Sequence, residues 1–377
     1  MKKCAAALVA AVVLILPAAA VSGGPAVEAG SAILMEKETG TVLYEENAHD
    51  KLEPASVTKV MTLLLVMEAI DDGRLKMEDM VTVSTRASSM GGSQVYLKEG
   101  EQMTVHDMLK AVAVVSGNDA AVALAEHIAG SEDAFVERMN ERAAQLGMAD
   151  TTFVNCTGLP AAGHLTSAYD IALMSRELIL NHPDIRQYTT IWMDSLRNGA
   201  SSLVNTNRLI RFYEGATGLK TGSTDSALYC LSGTAERDGM ELIAVIMKGS
   251  TSAQRFEDAQ ALLNYGFATY ALASVVPQTP LAPVPVTLGI QATVQPVLGE
   301  GGELLVEKTQ AGNLTQSVEL VETVEAPVAV GDQLGTMTVT CGEETIAQIP
   351  ILAGEAVPRV TFAQMLLRML QMALLCA

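Results

Sequence analysis

The sequence predicts a large α/β domain in which helices cover an antiparallel sheet, followed by a small β domain. Three observations support this prediction. Strand-like stretches lie towards both ends of residues 30–272, and long apolar helical stretches lie between them. A linker follows at 273–285, marked by four prolines (Pro277, Pro280, Pro283 and Pro285). Residues 286–354 then show short alternating stretches rich in Val, Thr, Gly and Glu, which are typical of strands and turns.

The elements of the large domain can be placed in order from apolar periodicity and turn residues. A hairpin is predicted at 31–43, with its turn at 38–40. Pro54 precedes a long apolar stretch that ends at Asp71-Asp72-Gly73, which predicts a buried helix at 57–70. The remaining predictions are helices at 104–128, at 168–180 (capped by Thr166 or Ser167) and at 253–270, and antiparallel strands at 227–234 and 241–247.

The two ends of the chain carry patterns of a different kind. Residues 1–20 predict a secretory signal, because Lys2 and Lys3 precede an apolar run and the small residues Ala18-Ala19-Ala20, with cleavage between 20 and 30. An uncleaved anchor is the alternative, although the run is short for a membrane span. We therefore expect an exported protein outside the cytoplasmic membrane.

Residues 357–377 predict an amphipathic helix. Gln364, Arg368 and Gln371 form one polar stripe, and apolar side chains cover the rest. At ~1.5 Å per residue this helix is shorter than a ~30 Å hydrocarbon core, so it should lie in the membrane interface rather than cross it. The alternative is a terminal helix docked on the β domain.

Composition excludes several classes of function. The net charge is −19 and no cluster of Lys or Arg is present, which argues against nucleic-acid binding. The five cysteines include no C-x-x-C pair, and the five histidines show no paired spacing, so no metal and no cofactor is expected. There is no G-x-S-x-G or H-E-x-x-H motif.

The first chemical motif is Ser56-Val57-Thr58-Lys59 at the start of the predicted helix. Lys59 lies one turn after Ser56, so the two side chains share a helix face. A lysine can act as a base near neutral pH only if its pKa falls from ~10.4 to ~7–8, which burial and a second cation, Lys220, can bring about. The backbone N–H of Ser56 at a helix N-terminus can hold an oxyanion.

The second and third motifs supply the remaining groups that acyl transfer through a serine ester needs. Ser116 and Asn118 are predicted in a short loop between buried helices, where a hydroxyl can relay a proton and an amide can hold a peptide carbonyl; helix capping is the alternative role. Lys220-Thr221-Gly222 is predicted at a strand start. There it offers a cation and a hydroxyl for a carboxylate and a glycine for close approach, and the N–H of Ser223 is a second oxyanion donor.

These motifs and their order resemble the D-alanyl-D-alanine carboxypeptidases, the low-molecular-mass penicillin-binding proteins, and most of all their sporulation-type members. The similarity extends over nearly the whole mature chain, and the stretches that support it are 53–59, 91–94, 115–119, 155–159, 165–170, 205–207 and 218–222. The resemblance implies a transpeptidase/β-lactamase-like domain, a β-rich second domain and an amphipathic C-terminal anchor. It also implies roles for Ser56 as the acylated residue, Lys59 as base, Ser116 as proton relay, and Asn118, Lys220, Thr221 and Arg255 in binding substrate.

By this resemblance the chain removes the terminal D-alanine from the stem pentapeptide of peptidoglycan and is acylated by β-lactams. Three alternatives stay open. A peptidoglycan endopeptidase of the same superfamily would cleave cross-links. A β-lactamase would turn over penicillin rapidly, but it has no need of the β domain and anchor. An inactive, membrane-tethered wall-binding scaffold is disfavoured, because every catalytic residue type is present.

Overall fold

The structure is a computed structural model that describes residues 24–277, 279–299 and 302–366. The chain divides into two compact units, one within 24–269 and one from residue 270 onward. The predicted signal peptide (1–20) lies outside the described residues, and so does the part of the predicted terminal helix beyond residue 366. Among the described residues no helix is long and apolar enough to cross a membrane.

The larger unit is built around a five-stranded antiparallel sheet with the strand order β2-β1-β9-β8-β7. Two short hairpins, β3/β4 and β5/β6, lie apart from it. The strands of this unit are β1 (Ser31–Glu36), β2 (Val42–Glu46), β3 (Met80–Thr82), β4 (Gln102–Thr104), β5 (Met193–Leu196), β6 (Ser201–Val204), β7 (Ala216–Thr224), β8 (Leu228–Arg237) and β9 (Met240–Gly249).

Nine α-helices are assigned in the described part of the larger unit. They are α1 (Lys59–Asp71), α2 (Thr85–Ser88), α3 (Val105–Val115), α4 (Asn118–Ala129), α5 (Glu132–Gln145), α6 (Ala168–Asn181), α7 (Arg186–Thr189), α8 (Leu209–Phe212) and α9 (Ser252–Thr269). The main core joins strands β1 and β9 to apolar residues of α1, α3, α4 and α6. In α1 nine of the thirteen residues are buried, because apolar residues occur nearly all round the helix.

Most of the elements predicted for this unit are confirmed. The hairpin, the break between α3 and α4, and the β8/β9 pair lie within a few residues of their predicted places. Ser167 is the cap of α6, and its side chain accepts from the N–H of Asp170. One placement was wrong: Lys220-Thr221-Gly222 lies in the middle of β7 rather than at a strand start, because the strand already begins at Ala216. The sequence analysis missed α5 and the two short hairpins.

The smaller unit is rich in β-structure, as predicted. Its strands form a four-stranded sheet (β13-β18-β17-β15), a three-stranded sheet (β12-β11-β16) and the pair β10/β14, around two small apolar cores. The elements are β10 (Tyr270–Ser274), β11 (Val284–Thr287), β12 (Thr293–Val294), β13 (Pro296–Leu298), β14 (Glu303–Glu307), α10 (Lys308–Ala311), β15 (Leu314–Leu320), β16 (Val324–Glu325), β17 (Gln333–Cys341) and β18 (Glu344–Ala353). Both ends of the proline-rich segment therefore belong to strands, and residues 362–366 form a helical turn.

Candidate active site

Three separate segments of the larger unit supply all the predicted site residues except Arg255, which lies on α9. The first is a single 3₁₀ turn that leads into α1, the second is the break between α3 and α4, and the third is β7, an edge strand of the main sheet. They carry, in this order, Ser56 with Lys59, Ser116 with Asn118, and Lys220, Thr221, Gly222 and Ser223. An edge strand has one side without a strand partner, so a substrate peptide can lie beside it.

The Lys59 amine connects the first two segments. Its Nζ donates to Ser56 Oγ at 3.1 Å, to Asn118 Oδ1 at 2.6 Å and to the carbonyl oxygen of Thr157 at 2.7 Å. Only the serine hydroxyl among these three partners can also donate a proton. When the amine is neutral, its two N–H groups satisfy the two pure acceptors and its lone pair faces the Ser56 hydroxyl. This is the geometry that a general base needs.

Burial brings the pKa of the Lys59 amine close to neutral pH. The side chain is fully buried, and this desolvation lowers its pKa to about 7, against weaker opposing effects of Cys156 and Asp119. From the sequence, Lys220 was expected to lower the pKa of Lys59. The effect falls on Lys220 instead: burial, and after it the charges of Lys59 and Arg255, lower the pKa of Lys220 well below its usual value. The apolar surroundings of α1 therefore bring the pKa of Lys59 into the range that a general base needs near neutral pH.

Asn118 is a link between Lys59 and the loop that precedes α3. Its Oδ1 accepts from Lys59, its Nδ2 donates to the carbonyl of Gly91 at 2.7 Å, and its backbone N–H donates to the carbonyl of Ser93 at 2.7 Å. The side chain is 2 % exposed. Both polar groups of the amide are thus engaged within the protein, so Asn118 positions the base in addition to the substrate role expected from the sequence.

Ser116 has an unusual backbone and an unpaired hydroxyl. It ends α3 with φ 63° and ψ 32°, in the left-handed region that non-glycine residues rarely adopt. Its Oγ is buried and has no hydrogen-bond partner among the described residues. Helix capping by this side chain is therefore not what the structure shows. A buried hydroxyl held beside Asn118 is suited to a proton relay.

On β7, Lys220 and Thr221 are almost fully buried, with 1 % and 5 % of their surfaces exposed. Lys220 Nζ donates to the carbonyl of Thr221 at 2.9 Å, and Thr221 Oγ1 donates to Thr206 Oγ1 at 2.7 Å. The Lys220 ammonium has no carboxylate partner among the described residues. A carboxylate that bound here would supply the missing charge and raise the pKa of Lys220.

Gly222 is required where β7 contacts the 3₁₀ turn that carries Ser56. A Cβ at this position would lie 2.8 Å from the Ser56 nitrogen, 2.9 Å from the Pro54 oxygen and 2.9 Å from the Val57 nitrogen. All three are backbone atoms, which cannot swing aside. The glycine therefore sets how closely the strand approaches Ser56, and it brings the peptide N–H groups of Ser56 and Ser223 onto adjoining segments, as an oxyanion site requires.

Arg255 lies behind the strand. It is 7 % exposed, and its Nη1 donates to the carbonyls of Gly222 at 3.0 Å and Cys230 at 3.3 Å. Burial lowers its pKa to about 10. Its Nε has no partner among the described residues. The structure thus ties Arg255 to the backbone of the third motif, adjacent to where the resemblance implies a carboxylate.

Several supporting residues were missed by the sequence analysis. Asn155 Oδ1 accepts from the N–H groups of Thr157 at 3.1 Å and Gly158 at 2.7 Å, and so shapes the loop whose carbonyl holds Lys59. The Asp119 carboxylate accepts from the N–H groups of Val95 and Leu97, both at 3.0 Å. The only sequence signal was their place within stretches that resemble the family.

His164 is a further buried support whose role was not predicted from the sequence. Its Nδ1 accepts from the N–H of Val154 at 2.9 Å, which leaves Nε2 to donate to Thr58 Oγ1 at 2.8 Å. Burial lowers its pKa to about 4. The neutral histidine therefore supports the turn that carries Ser56 through its hydrogen bond to Thr58.

No metal centre adjoins this site among the described residues. One group of side chains elsewhere, Glu68, Glu177 and His182, has the spacing of possible ligands. Arg142 donates to both of its glutamates at 2.6 Å, however, so both carboxylates already have a cationic partner. The arrangement at Ser56 needs only protein groups for acyl transfer.

Comparison with known proteins agrees with this geometry. The profile of the family described as D-alanyl-D-alanine carboxypeptidase matches residues 18–251, and that of the penicillin-binding protein 5 C-terminal domain matches residues 275–359. The chain is 42% identical over 346 residues to D-alanyl-D-alanine carboxypeptidase DacF of Bacillus subtilis, covering 90% of this chain and 89% of that protein.

Two solved structures show what the fold resembles. Penicillin-binding protein 5 of Haemophilus influenzae matches with a TM-score of 0.79 and 29% identity, over 89% of this chain and 99% of that one. Penicillin-binding protein D2 of Listeria monocytogenes, in an ampicillin-bound form, matches with a TM-score of 0.59 and 34% identity, over 64% of this chain and 98% of that one.

Proposed function

The chain belongs to the D-alanyl-D-alanine carboxypeptidase family, and we propose that it removes the terminal D-alanine from peptidoglycan stem pentapeptides through an ester on Ser56. The observation that carries this proposal is the Lys59 amine, buried and hydrogen-bonded to Ser56 Oγ. A buried lysine with a lowered pKa beside a serine hydroxyl has a plain chemical use, which is to take the proton of a nucleophile.

Acylation follows from the groups at the turn. Neutral Lys59 takes the proton of Ser56, and Oγ attacks the carbonyl carbon of the penultimate D-alanine. The oxygen of that carbonyl becomes negative in the transition state, and the N–H groups of Ser56 and Ser223 donate to it. Loss of one such donor typically lowers a rate by ~10²–10³.

The substrate is held by its free carboxylate. In the proposed complex this group lies at Lys220 and Thr221, with Arg255 behind the strand adding positive potential. The peptide runs antiparallel to β7, with its cleaved bond near Gly222 and its terminus towards residue 220. Lys220 lacks a carboxylate partner among the described residues, which supports this placement.

Proton transfer to the leaving amine completes the first half of the reaction. The proton that Lys59 accepted passes through the Ser116 hydroxyl to the nitrogen of the departing D-alanine, and the C–N bond breaks. Lys59 is then neutral again. It activates a water molecule that hydrolyses the ester and restores the Ser56 hydroxyl. β-Lactams acylate Ser56 in the same way, since their carbonyl and carboxylate resemble the D-alanyl terminus.

Release of D-alanine from a peptide ending in Lys-D-Ala-D-Ala tests this function. Wild type should release D-alanine and become labelled by a fluorescent penicillin, and Ser56→Ala should do neither while keeping the wild-type unfolding temperature. Ser89→Ala is a matched control, because Ser89 is exposed and its hydroxyl donates only to the carbonyl of Arg86. Labelling of folded Ser56→Ala would remove Ser56 from the mechanism.

We also infer that the protein is exported and lies on the outer face of the cytoplasmic membrane. The patterns at 1–20 and 357–377 support this inference. Purified chain should sediment with lipid vesicles, and chain ending at residue 356 should stay in the supernatant with unchanged penicillin labelling. Equal sedimentation of the two would show that the C-terminal segment is not the anchor.

A further inference from the structure

Tyr96 is a large aromatic side chain that the fold holds in solvent and that the mechanism above does not use. It is 75% exposed, whereas its neighbours Val95 and Leu97 are buried. Its backbone has φ 57°, in the left-handed region that a bulky residue rarely adopts. Such a conformation persists only where the surrounding structure imposes it.

Two buried or half-buried side chains impose this conformation from opposite directions in the sequence. The Asp119 carboxylate accepts from the N–H groups of Val95 and Leu97, both at 3.0 Å. The Arg197 guanidinium donates to the carbonyls of Val95 at 3.0 Å and Tyr96 at 3.3 Å. Arg197 is itself paired with Glu101 at 2.7 Å. The backbone on both sides of Tyr96 is therefore fixed, and the aromatic ring is presented to solvent from a rigid base.

The loop that carries Tyr96 also lies against the candidate active site. Asn118 Nδ2 donates to the carbonyl of Gly91 at 2.7 Å, and the Asn118 backbone N–H donates to the carbonyl of Ser93 at 2.7 Å. Asp119, which holds the backbone around Tyr96, is the next residue along α4. The exposed ring is thus connected to the residue that contacts the Lys59 amine.

The direction of the substrate decides which of its parts can reach Tyr96. In the proposed complex the leaving D-alanine lies at Lys220, and the acyl part lies on the other side of the cleaved bond, where Asn118 is expected to hold a peptide carbonyl. Three residues separate the cleaved carbonyl from the first residue of the stem peptide. Three residues also separate Ser93 from Tyr96, and either span covers at most ~11 Å. The sugar to which the first residue is joined in peptidoglycan can therefore reach Tyr96.

The surroundings of the ring favour a sugar over an apolar ligand. An open groove of about 600 Å³ lies at this loop, and its lining consists of Tyr96, Lys98, Glu99, Gly100, Glu101 and Arg197. A wholly apolar ligand would take these charged side chains out of water without replacing their hydrogen bonds, which is costly. A sugar ring offers C–H groups to the face of the tyrosine and hydroxyl groups to the charged side chains.

We propose that Tyr96 is a specificity-determining residue that stacks on the sugar carrying the stem peptide, so that the enzyme prefers stem peptides attached to glycan over free peptides. This inference rests on the proposed function, because it places the acyl part of the same substrate. The rigid loop presents the ring before substrate arrives, so little conformational freedom of Tyr96 is lost on binding.

The test compares D-alanine release from a stem pentapeptide with release from the same pentapeptide joined to its sugar. Wild type should have the higher kcat/KM for the sugar-bearing substrate. Tyr96→Asn removes the ring and introduces a residue type that tolerates positive φ. It should lower kcat/KM for the sugar-bearing substrate by roughly three- to tenfold, the size expected of one aromatic contact, and leave the free pentapeptide within about twofold.

Two further variants keep the result interpretable. Tyr96→Phe retains the ring and should stay within about twofold of wild type on both substrates. Phe212→Ala removes a ring that is 62% exposed on α8 and should also resemble wild type. Equal slowing of both substrates by Tyr96→Asn, or a wild type with equal kcat/KM for the two, would overturn the proposal. A wild type that releases D-alanine from neither substrate would instead overturn the proposed function on which it rests.

Discussion

Lys59 holds three segments of the site together and is also the proposed general base. Its amine is fully buried and joins the Ser56 turn, the start of α4 and the loop at Thr157 through three hydrogen bonds. Burial opposes the charged form, so the amine titrates near neutral pH instead of near 10. The same desolvation that makes this side chain an unfavourable core residue suits it to the proposed role of base.

The rate of acylation should therefore rise with pH through a midpoint near 7. Below the pKa of about 7 the amine is protonated and cannot accept the Ser56 proton; above it the neutral form dominates and the rate levels off. Stopped-flow labelling with a chromogenic β-lactam between pH 5.5 and 8.5 measures this. Lys59→Arg, which stays protonated, should be inactive across the whole range. A rate that falls with pH would show that Lys59 is not the base.

His164 should make the stability of the enzyme depend on pH. Its folded pKa, about 4, lies below the ordinary 6.5, so the unfolded chain binds the proton more readily. Stability contributed by the neutral ring is complete above pH 6.5 and is lost as the pH falls towards 4, by ~2–3 kcal/mol in total. Urea unfolding at pH 7 and pH 4.5 should show this loss in wild type.

The matched comparison uses His164→Gln, which can keep both hydrogen bonds but cannot titrate. Its loss of stability between the two pH values should be smaller than that of wild type by the same ~2–3 kcal/mol. His127→Gln, at an exposed position on α4, should behave as wild type. Identical pH dependence in all three proteins would mean that the buried ring is not the source.

At the scale of elements, the site depends on how closely β7 packs against the 3₁₀ turn before α1. The turn spans Ala55–Thr58, and β7 carries Gly222 in its second half. Gly158 approaches the turn more closely still, since a Cβ there would clash with the backbone carbonyl of Ala55. Two glycines from distant parts of the chain thus allow a strand and a loop to pack closely against the turn that carries Ser56.

Gly222→Ala should slow acylation far more than it reduces folding. The new Cβ meets backbone atoms of Pro54, Ser56 and Val57 at under 3.0 Å, so the strand or the turn must shift by a fraction of an ångström. A displacement of ~1 Å in a reacting group can lower a rate by ~10²-fold. Penicillin labelling rates and thermal unfolding, measured in parallel, test this. Gly312→Ala, where a Cβ meets nothing within 4 Å, is the control; a Gly222→Ala enzyme as fast as the control would contradict the expectation.

At the scale of the whole molecule, the candidate site lies within one of the two units and receives no residue from the other. Every candidate site residue lies in the unit that ends at Thr269, and none lies in the β-rich unit that begins at Tyr270. The Listeria protein matches 64% of this chain with 98% of its own length, and it binds ampicillin. A protein of this fold therefore needs no second unit to hold a β-lactam.

Chain ending at Thr269 should keep its chemistry. We expect penicillin acylation and D-alanine release from a soluble peptide within about twofold of the full chain, because no described site contact comes from the second unit. Circular dichroism and thermal unfolding establish that the shortened chain is folded. A folded but unreactive shortened chain would show that the β-rich unit contributes to the site.

The candidate site residues could be proposed from the sequence more readily than the residues that support them, for physical reasons. Ser56, Lys59 and Lys220 were proposed because a nucleophile, a base and a cation must be specific residue types. Asp119 supports the site through hydrogen bonds to backbone N–H groups 24 and 22 residues away, and no local pattern reveals such a pairing. Asn155 accepts from N–H groups two and three residues later, but nothing local shows that the loop it shapes holds Lys59. The amphipathic helix α5 was missed because its polar residues, taken in sequence, resemble a loop; only three of its side chains are buried.

The hydrogen bonds of Lys59 span 59 residues to Asn118 and 98 residues to Thr157, and Gly222 meets Ser56 from further still. Contacts between such distant residues require the closure of long loops, so we expect them to form late in folding. In a chain exported N-terminus first, as proposed, Ser56 emerges well before the residues that are proposed to activate it. We therefore expect reaction with penicillin to report complete folding, because labelling should require these long-range contacts.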